Sequence, residues 1–412
     1  MMLVVRRALY FWGWVGSLAS FSGCSWLLGS PFDDEYMLQS DAGVAGASSS
    51  GVQVAPSALD ECKPRFYVSN HIRYPSQSTG PVELTTNIVN TDTDERCDKD
   101  NKDYCVIIGN TIDIPHSVND NPRYSGVVPR GKRALVLLAA GDIHIDGILS
   151  VAGFDGWEER DPLFRAPGDH AVGMASHVAG GGGNASAGGG SCDGAGAGRK
   201  LLLNDGLVGG GHGAVYPDPH EMNCTYGGGG GGALQLVSLC GTIYITDHIN
   251  ARGGGGRGGG QDVDRCRDGF GGGAGGTVWL QGKVEIRSPD DSPAVQLTGG
   301  GGGGGSCLPM NAMTVTHGET GGVLSTAAAA RGGACESAVM RGEGGLGGRS
   351  DAPPGAGGRV RPSGQAELAR CGGGGGARGR LILQDTGLAC DDLENGSDGM
   401  CVIASPVTPE SQ

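Results

Sequence analysis

The chain has 412 residues, of which 83 are glycine, while aromatic residues make up 5% and charged residues 18%. A glycine share of about a fifth, against a usual ~7%, excludes an ordinary mixed core, and the low charge excludes the solvated disorder of a highly charged tail. With 30 basic and 44 acidic residues the formal net charge is −14, which excludes the basic face that nucleic acid requires.

The chain opens MMLVVRRALYFWGWVGSLASFSGCSW, with Arg6 and Arg7 ahead of an apolar run from Ala8 to Gly23. That run is shorter than the roughly 20 residues a membrane-spanning helix needs, and a basic start followed by a short apolar stretch and small residues reads as an export signal over residues 1–23. Phe21-Ser22-Gly23-Cys24 resembles the lipobox of bacterial lipoproteins, with Phe21 where leucine is usual. The resemblance implies cleavage before Cys24, acylation of that cysteine and anchoring in a membrane. Ser25 in place of aspartate implies onward passage to an outer membrane.

Residues 24–59, containing DAGVAGASSSGVQVAP, lack periodicity and read as a flexible tether. Residues 60–125 form a cysteine-containing acidic β segment. Within it, CVIIGNTIDI alternates Val106, Ile108, Ile112 and Ile114, which predicts a short strand pair turning at Gly109-Asn110. Just upstream, DTDERCDKDNKDYC sets Asp92, Asp94, Asp98, Asp100 and Asp103 around Cys97 and Cys105. Spaced carboxylates suit Ca²⁺, which takes 6–8 oxygens, although Arg96 falls at an EF-hand ligand position and the sixth-place glycine is absent. Bound Ca²⁺ and a solvated acidic loop held by a disulfide are the two readings.

Residues 126–405 are glycine-rich and repetitive, and residues 406–412 form a tail. Three segments align: ALVLLAAGDIHIDGILSVAG from 134, ALQLVSLCGTIYITDHINARGG from 233, and TVWLQGKVEIRSPDDSPAVQLTGG from 277. Their alternating pairs match as Leu135/Leu137, Leu234/Leu236 and Val278/Leu280; Ile143/Ile145, Ile243/Ile245 and Val284/Ile286; and Leu149/Val151, Ile249/Ala251 and Val295/Leu297. Leu381 and Leu383 begin a partial fourth copy. A period of two puts each pair on one strand face, and units this small bury an apolar face only by stacking. The prediction is an all-β, parallel β-helix or solenoid-like stack with glycine-rich inserts. An antiparallel β-sandwich is the alternative, since Gly282-Lys283 would suit a hairpin turn.

Glycine weakens a strand interior, so the runs of glycine lie between the strands. They are either loose loops or ordered, polyproline-II-like segments whose amides bond to neighbouring segments, with φ > 0 and close backbone approach open to them, and the ordered reading is preferred. The even set Cys62, Cys97, Cys105, Cys192, Cys224, Cys240, Cys266, Cys307, Cys335, Cys371, Cys390 and Cys401 predicts disulfides in an exported chain, with the pairing left open.

Taken together, the signal, the acidic cysteine segment, RALVLLAAGDIHIDGILSVAG and the repeated glycine-flanked strands resemble the large glycine-rich cell-envelope lipoproteins of myxobacteria. The resemblance implies an address and an architecture and no particular activity. No catalytic or cofactor motif is assembled: a G-x-G-x-x-G match is empty inside glycine runs, and GVVPRGKR has Arg133 where a phosphate-binding loop needs Ser or Thr. One enzymatic reading survives, a polysaccharide-cleaving site using Asp247, His248 and Arg252 with Asp262, Asp264 and Asp268 in the following loop. The reading preferred is a non-catalytic surface or outer-membrane lipoprotein with a structural or adhesive role. It would need no cofactor, and its expected partners are the membrane and envelope polysaccharide or a surface protein.

Overall fold

The structure, a computed structural model, describes residues 80–85, 88–97, 101–116, 126–155, 166, 180–190, 197–201, 206–213, 227–259, 269–287, 293–304, 332, 343–348, 353–360, 370–390 and 400–404. By compactness the chain divides into Met1–Val54 and Ala55–Gln412, and every described residue falls in the second unit. Among the described residues there are strands and no helix.

The strands are β1 (Val82–Glu83), β2 (Ile88–Asn90), β3 (Tyr104–Gly109), β4 (Ile112–Ile114), β5 (Val128–Arg130), β6 (Ala134–Ala139), β7 (Ile143–Ile145) and β8 (Leu149–Ser150). They continue as β9 (Ala233–Ile245), β10 (Ile249–Asn250), β11 (Thr277–Ile286), β12 (Val295–Gln296), β13 (Arg359–Val360), β14 (Arg370–Cys371), β15 (Arg380–Gln384) and β16 (Met400–Ile403). A nine-stranded sheet runs β1-β4-β7-β9-β11-β15-β16, with β3 and β6 joining it beside β9, and a second sheet runs β8-β10-β12. Among the described residues every ladder is parallel except β13 with β14.

The parallel register is the one the aligned repeats predict. Leu135 pairs with Leu234, Leu234 with Val278, and Val278 with Leu381. Ile143 pairs with Ile243 and Ile243 with Val284, while Leu149 pairs with Ile249 and Ile249 with Val295. All of these residues belong to one buried cluster. Each such Leu, Ile or Val contributes roughly 1.5–3 kcal/mol on burial, so stacking like on like builds the core as continuous apolar columns.

Several local expectations are corrected. β3 and β4 do not form a hairpin at Gly109-Asn110; β3 pairs with β6 and β4 with β7. The inward residues of β3 are Cys105 and Ile107, while Val106 packs on the opposite face, in a second cluster with Val136, Leu138, Val237 and Leu207; Ile108 packs against that cluster. Alternation alone fixes two faces but not which is inner, and here both are covered. Gly282-Lys283 is not a hairpin turn either. It lies within β11, where the register shifts between Gln281 and Lys283 to accommodate the longer stretch of β9 opposite. Gly282 takes φ 104°, and a Cβ there would meet the Ser238 carbonyl at 2.3 Å, so only glycine fits this bend. On the second face, Gln235 donates to Gln281, and Gln281 Nε2 donates to Gln384 Oε1 at 2.7 Å, a buried amide ladder across three strands.

The described stretches of the glycine runs are ordered rods. Beyond β10 and β12 the ladder continues, but its spacing changes. Ile249 and Ala251 donate to the carbonyls of Ala294 and Gln296, a step of two; then Gly253, Gly256 and Gly259 donate to Thr298, Gly301 and Gly304, a step of three. A three-residue period with bonds only to neighbours is the geometry of a polyproline-II-type helix. The rod 269–276 is surrounded by others. Phe270, Gly273 and Gly276 donate to Arg257, Gly254 and Ala251; Gly272 and Gly275 donate to Gly374 and Ala377; Gly228 and Gly231 donate back to Gly271 and Ala274; and Gly303 and Gly300 donate to Phe270 and Gly273.

Close approach, rather than left-handed backbone, is what these glycines supply. A Cβ on Gly228, Gly303 or Gly376 would lie 1.9 Å from a carbonyl oxygen of the adjoining rod, and none of these residues has positive φ. The rods 227–232, 269–276 and 372–379 lead into β9, β11 and β15, and the rods 151–155, 251–259 and 298–304 leave β8, β10 and β12. Strand sheets and glycine bundle are therefore one hydrogen-bonded body.

Candidate functional site

The acidic turn follows β2 and is held by its own carboxylates. Asp92 Oδ1 accepts from the backbone N–H groups of Lys132 at 2.8 Å and Arg133 at 3.3 Å, tying the turn to the start of β6. Asp94 accepts from Arg96 through both oxygens, from Nε at 2.9 Å and Nη2 at 2.7 Å. That bonded guanidinium holds the Asp94 carboxyl below the usual carboxylate range, against the opposing effect of partial burial. The backbone N–H of Asp103 donates to Asn101 Oδ1 at 3.1 Å. Arg133 Nη1 donates to the Asn101 carbonyl at 2.9 Å.

A disulfide joins the buried Cys97 and Cys105 and closes the segment against β3. Asp98 and Asp100 lie outside the described residues. Among the described residues no group of three or more His, Cys, Asp or Glu side chains could hold a metal ion. The described part of the proposed Ca²⁺ loop thus spends Asp92 and Asp94 on N–H donors, and Arg96 sits where a cation would have to compete.

Part of the enzymatic grouping falls within the described residues. Asp247 and His248 stand at the corner between β9 and β10, where His248 Nδ1 lies 2.5 Å from Asp247 Oδ1 and His116 Nδ1 lies 3.9 Å from Asp247 Oδ2. Arg252 is buried at the root of the rod leaving β10, and its Nε donates to Asn250 Oδ1 at 2.8 Å. Asp262, Asp264 and Asp268 lie outside the described residues. A paired Asp–His can hold or move a proton. Glycoside hydrolysis asks for two carboxyl groups at a set separation; of the four carboxylates in this grouping Asp247 alone is described, and it lies against His248.

The outward face of the large sheet carries a row that alternation alone did not single out. It consists of the middle residue of each inward pair: Asp113, His144, Tyr244 and Glu285 stand in register across β4, β7, β9 and β11. The His144 and Tyr244 rings stack at 4.9 Å, and the Arg287 guanidinium sits 4.5 Å from the centre of the Tyr244 ring while pairing with Glu285 at 2.8 Å. The signal was present as the polar centre of I-D-I, I-H-I, I-Y-I and V-E-I. Tyr244 is thus engaged within the row by both His144 and Arg287.

Cys390 and Cys401 form a second disulfide, and Cys240, on β9, is disulfide-bonded as well. Cys371 lies in β14, and Cys24, Cys62, Cys192, Cys224, Cys266, Cys307 and Cys335 lie outside the described residues. Disulfides of this kind fit an oxidising, extracytoplasmic environment. Among the described residues no helix is long and apolar enough to cross a membrane. Comparison of the chain with protein families, with curated proteins and with solved structures finds no match.

Proposed function

We propose that the chain is a non-catalytic lipoprotein of the cell surface or outer membrane, with a structural or adhesive role in the envelope. In this reading, which accords with the resemblance to glycine-rich myxobacterial envelope lipoproteins, the repeats are coils of a solenoid. Each coil contributes segments such as Leu135/Leu137, Ile143/Ile145 and Leu149/Val151 to one core and returns through the glycine bundle. The observation that carries the proposal is the commitment of the repeated residues to core and bundle: apolar columns inside, glycine rods beside them, and on the outward face His144 stacked on Tyr244 and Glu285 paired with Arg287. Such a body offers shape and surface in place of a reacting pocket.

Two experiments test it. Incubating the purified chain with envelope and extracellular polysaccharides is expected to give at most binding, with no new reducing ends or unsaturated products. Turnover abolished by Asp247→Asn would replace the proposal with the enzymatic reading. For the anchor, Cys24→Ser is expected to move the protein from membrane to soluble fractions, because several acyl chains are needed for stable attachment and each buried CH₂ contributes about 0.8 kcal/mol. An unchanged partition, with no acyl label on the wild type, would count against it.

A further inference from the structure

The two disulfides whose cysteines are both described differ in how far they can be reached. Cys97 is 3% exposed and Cys105 0%, whereas Cys390 and Cys401 are both half-buried. The Cys390–Cys401 bond fastens β16, which pairs with β15 and, among the described residues, with no other strand. Cys390 follows a stretch fixed to the body: Val284 donates to the Thr386 carbonyl, and Leu388 packs against the core cluster. β16 itself is held lightly. Met400, Cys401 and Val402 are half-buried and Ile403 is exposed, yet the strand lies beside the ends of two core columns, since Cys401 pairs with Leu381 and Ile403 with Leu383, both fully buried.

We propose that Cys390–Cys401 is a redox-sensitive strap: a dithiol reductant opens it in the folded protein, β16 leaves β15, and the last columns of the core are uncovered. Thiol–disulfide exchange needs a thiolate to reach a sulfur, so partial exposure selects this bond over the sealed Cys97–Cys105. The first thiolate of the reductant attacks one sulfur to form a mixed disulfide, and its second thiol then breaks that bond. Two electrons and two protons pass to Cys390 and Cys401, and the reductant leaves as a disulfide. While the strap is closed, Cys401 stays tethered to a residue 11 positions away in the chain. Closing a loop of about a dozen residues favours the docked strand about a hundredfold relative to the reduced chain. A strand of four residues whose side chains are half in solvent has little apolar burial to set against the entropy of ordering it. The inference stands whether or not the chain is lipid-anchored.

Two backbone amides report the strand directly. Arg380 donates toward β11, to the Gly276 carbonyl, so in a parallel ladder the alternate amides of Leu381 and Leu383 face β16. The test is hydrogen exchange of the purified, oxidised full chain with and without dithiothreitol, combined with mass-spectrometric mapping of alkylated thiols. Cys390 and Cys401 are expected to be labelled at least about tenfold faster than Cys97 and Cys105, as their access to the reductant requires. Exchange at Leu381 and Leu383 should then rise about a hundredfold, with Leu234 and Val278 unchanged. The double substitution Cys390→Ser with Cys401→Ser should reproduce the faster exchange without reductant, which separates this bond from the other disulfides of the chain. If that variant does not fold, the titration of the wild type decides. Reduction of Cys97–Cys105 no later than Cys390–Cys401, or unchanged protection at Leu381 and Leu383 once Cys390 and Cys401 are reduced, overturns the proposal.

Discussion

Gly273→Ala is expected to destabilise the protein by about 3 kcal/mol or more, the upper range for forcing atoms into a filled interior. The added methyl would lie 1.9 Å from the Gly229 carbonyl oxygen and 2.4 Å from its carbon. The residue cannot retreat, because its N–H donates to Gly254 and its carbonyl accepts from Gly300. Gly376 presses from a further side, its own Cβ position lying 1.9 Å from the Gly273 oxygen. Gly80→Ala is the matched control, with nothing within 4 Å of its Cβ position, and should shift stability by no more than about 0.5 kcal/mol. Urea midpoints for the two variants decide the matter, with the slope checked for constancy. Equal midpoints would mean that the rods are loose in solution.

Ile243→Ala and Tyr244→Ala, at adjacent positions, should differ as inner and outer faces differ. Ile243 is fully buried in the central column between Ile143 and Val284, so its truncation should cost about 2–5 kcal/mol, transfer and cavity together. Tyr244 is partly exposed and packs on His144 and Arg287, so its loss should remove about 0.5–1.5 kcal/mol of ring contact. Thermal unfolding of both variants measures the contrast. A larger loss at Tyr244 would place the core on the other face of β9.

The sequence carried the core more fully than the surface. The repeated L-x-L and I-x-I pairs could be aligned because parallel stacking sets equal residues over one another, and the resulting columns are those of the buried cluster. Which face of β3 is inner is not legible, because Cys105-Val106-Ile107-Ile108 is apolar on both sides and alternation has no contrast to read. A bend at Gly282 and a hairpin turn at Gly282-Lys283 look alike in the sequence because glycine marks both, and only the facing residues of β9 distinguish them. Of the candidate site, the clustering of aspartates was legible, but their commitment to Lys132, Arg133 and Arg96 depends on long-range contacts and on one short-range pair that spacing does not reveal. The bond from Arg252 to Asn250 is likewise not revealed by spacing.

The change from a two-residue to a three-residue step bears on how the gene can vary. Single-base changes in a glycine codon's first two positions give almost entirely residues with a Cβ, which the crowded rods reject, so tracts that look like permissive filler should be among the most constrained in the chain. Their repetitive codons nevertheless invite replication slippage. Loss or gain of one codon would rotate every later amide of a rod out of phase with its neighbours, whereas loss or gain of three restores the phase after one turn. Length variation in these tracts is thereby expected to come in triplets of codons, a rhythm set by the bundle and not by the reading frame.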